Sequence, residues 1–175
     1  LQGCEGPLLT GGCVTCLVNP RVGREYETDL TKTTQPKKVM VIGGGPAGLV
    51  AARTAAIKGH DVSLYEASSH LGGQFRSAAY PIGKGELSTT TSSYRANLEA
   101  LNVPVHLNSE VSEEMIQEIK PDAIILATGA KPMVPPIKGI DGKNVFTAED
   151  MLLGKYDISN GPIVVCGGGE VGGET

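Results

Sequence analysis

The sequence predicts an α/β fold, a doubly wound parallel sheet that is truncated at its far end. Three observations predict it. Short apolar runs rich in β-branched residues, such as Val39-Met40-Val41-Ile42 and Ala123-Ile124-Ile125-Leu126, recur without polar alternation, as strands buried on both faces do. Helical stretches lie between these runs, which is the signature of parallel strands joined by crossovers. Glycine turns follow two of the runs, at Gly43 to Gly48 and at Gly167 to Gly172.

Composition narrows the function. With 175 residues, 40% hydrophobic and 19% charged, the chain suits one soluble domain with additional segments. A net charge of -4 argues against a nucleic-acid surface, which depends on Lys and Arg at phosphates. No apolar run approaches the roughly 20 residues that span a bilayer. The start, Leu1-Gln2-Gly3-Cys4, lacks the basic and apolar regions of a signal peptide. A cytoplasmic location is expected, with neither membrane nor nucleic acid as partner. The chain does not begin with Met and stops just past a glycine turn, so it reads as a piece cut at both ends.

The elements follow in order. Residues 1–36 read as irregular, ending in a polar connector over 28–36. Residues 38–42 form the first strand. After Gly43-Gly44-Gly45-Pro46-Ala47-Gly48 a helix runs to Lys58, with Leu49, Ala52 and Ala56 on one face, and Gly59 stops it. Residues 61–66 are the second strand. The hydroxyl cluster at 88–93 starts a helix that leads to Leu98 and Leu101. Residues 103–107 are the third strand, Ser112 caps a short helix, and 122–127 is a further buried strand ending at Thr128-Gly129. The proline-rich stretch 131–139 crosses the surface, and a short helix spans roughly Thr147 to Leu153. Residues 162–166 are the last strand, with Cys166 as a small buried thiol.

Gly43, Gly45 and Gly48 make G-x-G-x-x-G between a strand and a helix. The first allows the turn, the second lets the backbone approach a pyrophosphate, and the third lets helix and strand pack closely. The helix N-terminus offers free N–H groups to phosphate, and Pro46 suits the first helical position. Glu66 ends the next strand 18 residues after Gly48, where a carboxylate can accept from both hydroxyls of an adenosine ribose. That combination predicts a Rossmann-like dinucleotide site; a tight turn beside a solvated glutamate is the plainer alternative.

Leu71-Gly72-Gly73-Gln74 after the acid, and Ala127-Thr128-Gly129 at a strand end, favour FAD. Here the sequence resembles the two-dinucleotide-binding flavoproteins, in which a nicotinamide domain is inserted within the FAD domain. Gly167, Gly169 and Gly172 fall where that insertion would begin. The resemblance implies that Ala47, Glu66, Gln74, Lys84 and Val111 lie against FAD, and it brings Gly73-Gln74 close to the flavin end.

The cysteines are more specific. Cys13-x-x-Cys16 alone reads as a redox pair or half a zinc site. Cys4 and Cys16 are separated by eleven residues. With the Leu17-Val18-Asn19-Pro20-Arg21-Val22-Gly23-Arg24-Glu25 that follows, this resembles the iron–sulfur segment of the 2,4-dienoyl-CoA reductase and trimethylamine dehydrogenase family, the NADH:flavin oxidoreductases of the old yellow enzyme group. The family pattern, C-x2-C-x3-C-x11-C, holds one [4Fe–4S] cluster through thiolates. Cys4 would be its third ligand and Cys16 its fourth, with the first two before Leu1; Cys13 has no place in it.

The resemblance implies 1–36 as iron–sulfur ligand segment and linker, 37–161 as an incomplete FAD domain, and 162–175 as the start of an NAD(P) domain. It implies a chain of carriers, NAD(P)H to FAD to [4Fe–4S] to FMN in an upstream barrel that binds the substrate and reduces an enoate or enoyl-CoA double bond. An amine dehydrogenase of the same family, with ADP held structurally here, is the first alternative. A non-catalytic dinucleotide-binding module is another. A disulfide reductase is set aside, because no cysteine lies between Glu66 and Tyr80. A glutamate-synthase-type input subunit is disfavoured by the Cys4 to Cys16 segment. No catalytic side chain is predicted within the chain.

Overall fold

A computed structural model describes residues 2–16, 18–28, 30–157 and 161–175. Leu17 and Asp29, in the cysteine segment and the connector, lie outside the described residues. At the centre is a four-stranded parallel sheet of β1 (Lys38–Ile42), β2 (Asp61–Tyr65), β3 (Val105–His106) and β4 (Ala123–Leu126), in the order β3-β2-β1-β4. β1 pairs along its whole length with β2, from Lys38 opposite Asp61 to Ile42 opposite Tyr65, and on its other side with β4. The predicted parallel α/β sheet is the observed one.

The chain moves outward from β1 to β3 and then returns to the far side of β1 for β4. That reversal makes the carboxyl ends of β1 and β4 a topological switch point, where a crevice opens in folds of this kind. The helix α2 (Pro46–Ile57) and the helix α4 (Leu87–Ala100) pack together on one face. Val39, Val41, Leu49, Ala52, Val62, Leu64, Tyr94 and Leu98 form the core between them and the sheet. The remaining helices are α1 (Gln2–Leu9), α3 (Phe75–Ala78), α5 (Glu113–Ile119), α6 (Ala148–Leu152) and α7 (Glu170–Glu174). α5 lies between β3 and β4 in the chain. Ser112 caps α5 by accepting from the Met115 N–H, as its position predicts, and Thr147 caps α6 by accepting from the Asp150 N–H.

Several expectations change. Residues 2–9, expected to be irregular, are helical, and the Thr10 hydroxyl closes the end by donating to the Pro7 carbonyl. The third strand shrinks to two residues, because Pro104 has no N–H to give to the ladder, though its carbonyl accepts from Leu64 N–H. The hydroxyl cluster sits inside α4 rather than capping it, with Ser88 and Thr89 donating back to the Gly85 and Glu86 carbonyls. The one-turn α3 carried no sequence signal. Residues 162–166 form no strand, since a parallel strand needs a neighbour and none of the described residues pairs with them. Cys166 is therefore exposed rather than buried.

Candidate functional site

The first glycine turn grows directly out of β1. Gly43 has φ 111°, a value that side chains rarely tolerate. A Cβ there would also strike the carbonyl of Ala127 at the end of β4, and a Cβ on Gly48 would strike the Gly43 carbonyl. The neighbouring strand thus fixes the first glycine, and the turn itself fixes the third. Gly45 is different, because a Cβ there would meet nothing within 4 Å. Gly45 is the N-cap of α2, with Pro46 in the first turn and no side chain capping the end. Ala47 and Gly48 continue that turn. First-turn N–H groups and the helix dipole face this open side, which suits a phosphate.

Glu66 follows β2 and turns its carboxylate to the same place. Oε2 accepts the Gly44 N–H at 2.6 Å and Oε1 accepts the Ser68 N–H at 2.7 Å. These bonds to an ionised acceptor orient the group, and each oxygen keeps lone-pair capacity for the two hydroxyls of a ribose. Gly44 is pressed between Leu71 and Glu66, so a Cβ there would meet Leu71 Cδ2 at 2.6 Å and Glu66 Oε2 at 3.0 Å.

Two loops complete the crevice. Gly72 N–H donates to the Gly44 carbonyl at 2.9 Å. Gly73, at φ 49°, comes up on Gly45: a Cβ there would lie 3.2 Å from Gly45 Cα. Its restriction therefore acts on the first glycine turn, whereas the expectation had set it at the flavin end. Gln74 Nε2 donates to the Ala130 carbonyl at 3.2 Å, linking this loop to the exit of β4. There Thr128 N lies 3.1 Å from the position of a Gly43 Cβ, and Gly129 takes φ 74°. The first turn, Glu66, Gly73, Gln74 and Thr128-Gly129 are thus brought together. Val111 is half-buried in the loop before α5. Lys84 forms an ion pair with Glu174 on α7.

The second turn repeats the local shape. Gly167 has φ 118°, Gly169 is the N-cap of α7 with φ -75° and ψ -174°, and a Cβ on Gly172 would strike the Gly167 carbonyl. Added Cβ atoms at Gly167 or Gly169 would meet nothing within 4 Å.

In the cysteine segment, Cys4 and Cys16 are half-buried and Cys13 is exposed. Asn19 N–H points at Cys16 Sγ from 3.3 Å. The backbone N–H groups of Asn19 and Val18 hold this thiol below its ordinary value. Among the described residues no three His, Cys, Asp or Glu side chains gather as a metal site. Cys4 and Cys16 have the thiol chemistry a cluster takes, and no full ligand set gathers among the described residues.

Sequence reasoning gave no role to Gly44 or Ser68, whose N–H groups orient Glu66. The run of three glycines at 43–45 was a usable signal for Gly44. Ser68 acts through its backbone N–H, which residue type does not reveal.

Comparison with known proteins agrees with this arrangement. A model of the pyridine nucleotide-disulphide oxidoreductases matches residues 37–175. The chain belongs to that family. It is 41% identical over 174 residues to cinnamate reductase of Clostridium sporogenes, covering 99% of this chain and 26% of that protein. It is 38% identical to bilirubin reductase of Mediterraneibacter gnavus, covering 99% and 27%. Among solved structures, a 2-naphthoyl-CoA reductase complex superposes with a TM-score of 0.84 at 36% identity, covering 89% of this chain and 24% of that one. The chain thus spans about a quarter of the length of these relatives, and the match to the two reductases includes the cysteine segment. Within the family the chain stands with the 2,4-dienoyl-CoA reductase and trimethylamine dehydrogenase group that its motifs resemble. No described helix is long and apolar enough to cross a membrane.

Proposed function

We propose that the chain is the electron-transfer section of an NAD(P)H-dependent flavin and iron–sulfur oxidoreductase that reduces an enoate or enoyl-CoA double bond. The observation that carries this reading is the crevice at the β1–β4 switch point. An oriented Glu66 and an uncapped α2 converge there on the open side of Gly45. Gly43, Gly45 and Gly48 would hold the pyrophosphate of FAD, and Glu66 its ribose. Ala47, Gln74, Lys84, Val111 and Thr128-Gly129 would line the rest. Lys84 would have to leave Glu174 to do so. Bound FAD supplies the exchange between two-electron and one-electron transfer, and the protein supplies position and electrostatics. Gly167, Gly169 and Gly172 would begin the NAD(P) site, with domain limits at 37–161 and 162–175.

Cys4 and Cys16 are the two cluster ligands this chain contributes, with two further cysteines and an FMN barrel in the parent protein. The names of the relatives, cinnamate reductase and 2-naphthoyl-CoA reductase, support the substrate class. A cytoplasmic setting, where thiols stay reduced, suits such a cluster.

A second reading is an amine-oxidising enzyme of the same group with ADP in this crevice. A 6-hydroxypseudooxynicotine amine oxidase from Pseudomonas geniculata, superposing with a TM-score of 0.78 at 29% identity, favours it. Nucleotide released from the denatured parent protein separates the two. FAD and FMN together support the first reading; FMN with ADP and no FAD supports the second. In the same protein Cys4→Ser or Cys16→Ser should remove the iron, while Cys13→Ser should leave it nearly unchanged. Iron lost only with Cys13→Ser would overturn the ligand assignment.

A further inference from the structure

The cysteine segment is not free of the nucleotide domain. Tyr94, on α4, is buried with 7% of its surface exposed. Its hydroxyl donates to the Val18 carbonyl at 2.7 Å, across 76 positions of sequence. Val18 stands two residues after Cys16, and the next residue, Asn19, points its N–H at Cys16 Sγ from 3.3 Å. Asn97, one turn further along α4, accepts from Arg53 Nε at 3.3 Å, and Arg53 lies on α2. Asn97 is itself held by donating to the Ser93 carbonyl at 2.6 Å. α4 thus reaches two ways from adjacent turns, to the loop that carries Cys16 and to the helix whose N-terminus forms the phosphate turn.

We infer that Tyr94 is a positioning residue whose hydroxyl ties the Cys16 loop to α4, and through α4 to the phosphate-turn helix. The inference rests on the reading of Cys16 as a cluster ligand for its purpose, but not for its geometry. A buried tyrosine ring needs only apolar neighbours to pack, and its hydroxyl needs one partner. Here the partner is the carbonyl of Val18, in the loop that carries Cys16. A fixed separation between two redox groups matters, because electron tunnelling weakens steeply with distance. A short loop held at one point next to Cys16 would keep that separation fixed.

Tyr94→Phe keeps the ring and removes the tie. In the present chain, amide exchange at Asn19, Val22 and Arg24 should quicken by about three- to tenfold, the scale of one net hydrogen bond. Exchange along α4 and at Gly44 should stay as it was. Unchanged exchange in the loop would overturn the inference. An equal rise through α4 would also overturn it, by making Tyr94 a packing residue of that helix. In the parent protein the same variant should keep its iron but alter the electron paramagnetic resonance spectrum of the reduced cluster. A full iron complement with an unaltered spectrum would remove the positioning role. Absence of iron from the unsubstituted parent would sink the cluster reading alone, and the exchange measurement would still decide the tie.

Discussion

The two glycine turns have nearly the same backbone and very different surroundings. Gly43 and Gly167 share positive φ values of 111° and 118°, and in both turns the third glycine is pressed against the carbonyl of the first. The first turn leaves a strand paired on both sides and meets Ala127, Leu71, Glu66 and Gly73. The second follows 162–166, where Ile163, Val164 and Val165 are 57%, 83% and 51% exposed. Turn shape is therefore a local property of where the glycines stand. A nucleotide site is not local: the acid, the neighbouring carbonyls and the closing loop come from other strands. Only the first turn has them within the described residues.

The largest expected effect uses the one clash that both turns share. Gly48→Ala drives a methyl into the Gly43 carbonyl inside a packed sheet and should destabilise the chain by about 3 kcal/mol or more. Gly172→Ala creates the same local clash in a helix of five residues with an exposed approach. It should change the unfolding free energy by no more than about 0.5 kcal/mol. Urea unfolding of both variants tests this. Equal losses would mean that the second turn is as deeply built in as the first.

Much of this contrast was legible in the sequence up to the point where pairing begins. The strands β1, β2 and β4 were readable as continuous apolar runs, although β4, expected to be buried, leaves Ile124 and Leu126 40% and 74% exposed. The turn, Glu66 and the cap Ser112 were readable because each is a local rule tied to residue type. The run 162–166 obeys the same rule as β1 and still forms no strand, because apolar character does not supply a partner. Tyr94 carried no signal, since its role depends on a carbonyl 76 positions away. The α1 helix was invisible for another reason: Gly3, Gly6 and Pro7 all argue against helix on propensity.

The next effect separates binding from stability. At Gly45 an added Cβ would meet nothing within 4 Å, so Gly45→Val should leave unfolding nearly unchanged. It should weaken FAD and ADP binding to this chain by about tenfold or more, equivalent to about 1.4 kcal/mol, since its methyls fill the phosphate's space. Titration of flavin fluorescence, with ADP as competitor, reads this directly. Undiminished affinity would place the nucleotide somewhere other than the first turn. Gly169→Val, at the equivalent second position, should leave FAD affinity unaltered.

Glu66→Gln tests what the second turn lacks. The carboxylate accepts Gly44 N–H and Ser68 N–H on separate oxygens, whereas an amide can accept on only one side and turns a donor to the other N–H. The loss of one charge-assisted bond should cost about 1–3 kcal/mol. Adenosine-containing ligands should also weaken more than riboflavin phosphate, which has no such ribose. Equal weakening of both would show a general loosening of the loop instead of a lost ribose contact.

The smallest effect concerns the stretch between the two turns. In α6, Thr147 caps through Asp150 N–H, while Asp150 is held below its ordinary value first by the hydrogen bond from Lys155 and then by that from Thr147. A carboxyl lowered in the folded state helps α6 above the ordinary aspartate range, and that help fades as pH falls through the lowered value. These groups are exposed, so solvent screens the pair and the effect stays local. Thr147→Ala should loosen α6 by about 1 kcal/mol, seen as faster amide exchange at Met151 and Leu153, and acid should do the same to the unsubstituted chain. If the two turns are organised independently, exchange at Gly44 and Leu49 will not respond to either change. A parallel rise at Gly44 would mean that the connector transmits strain to the first turn, and the contrast between a built-in turn and an isolated one would then have to be redrawn.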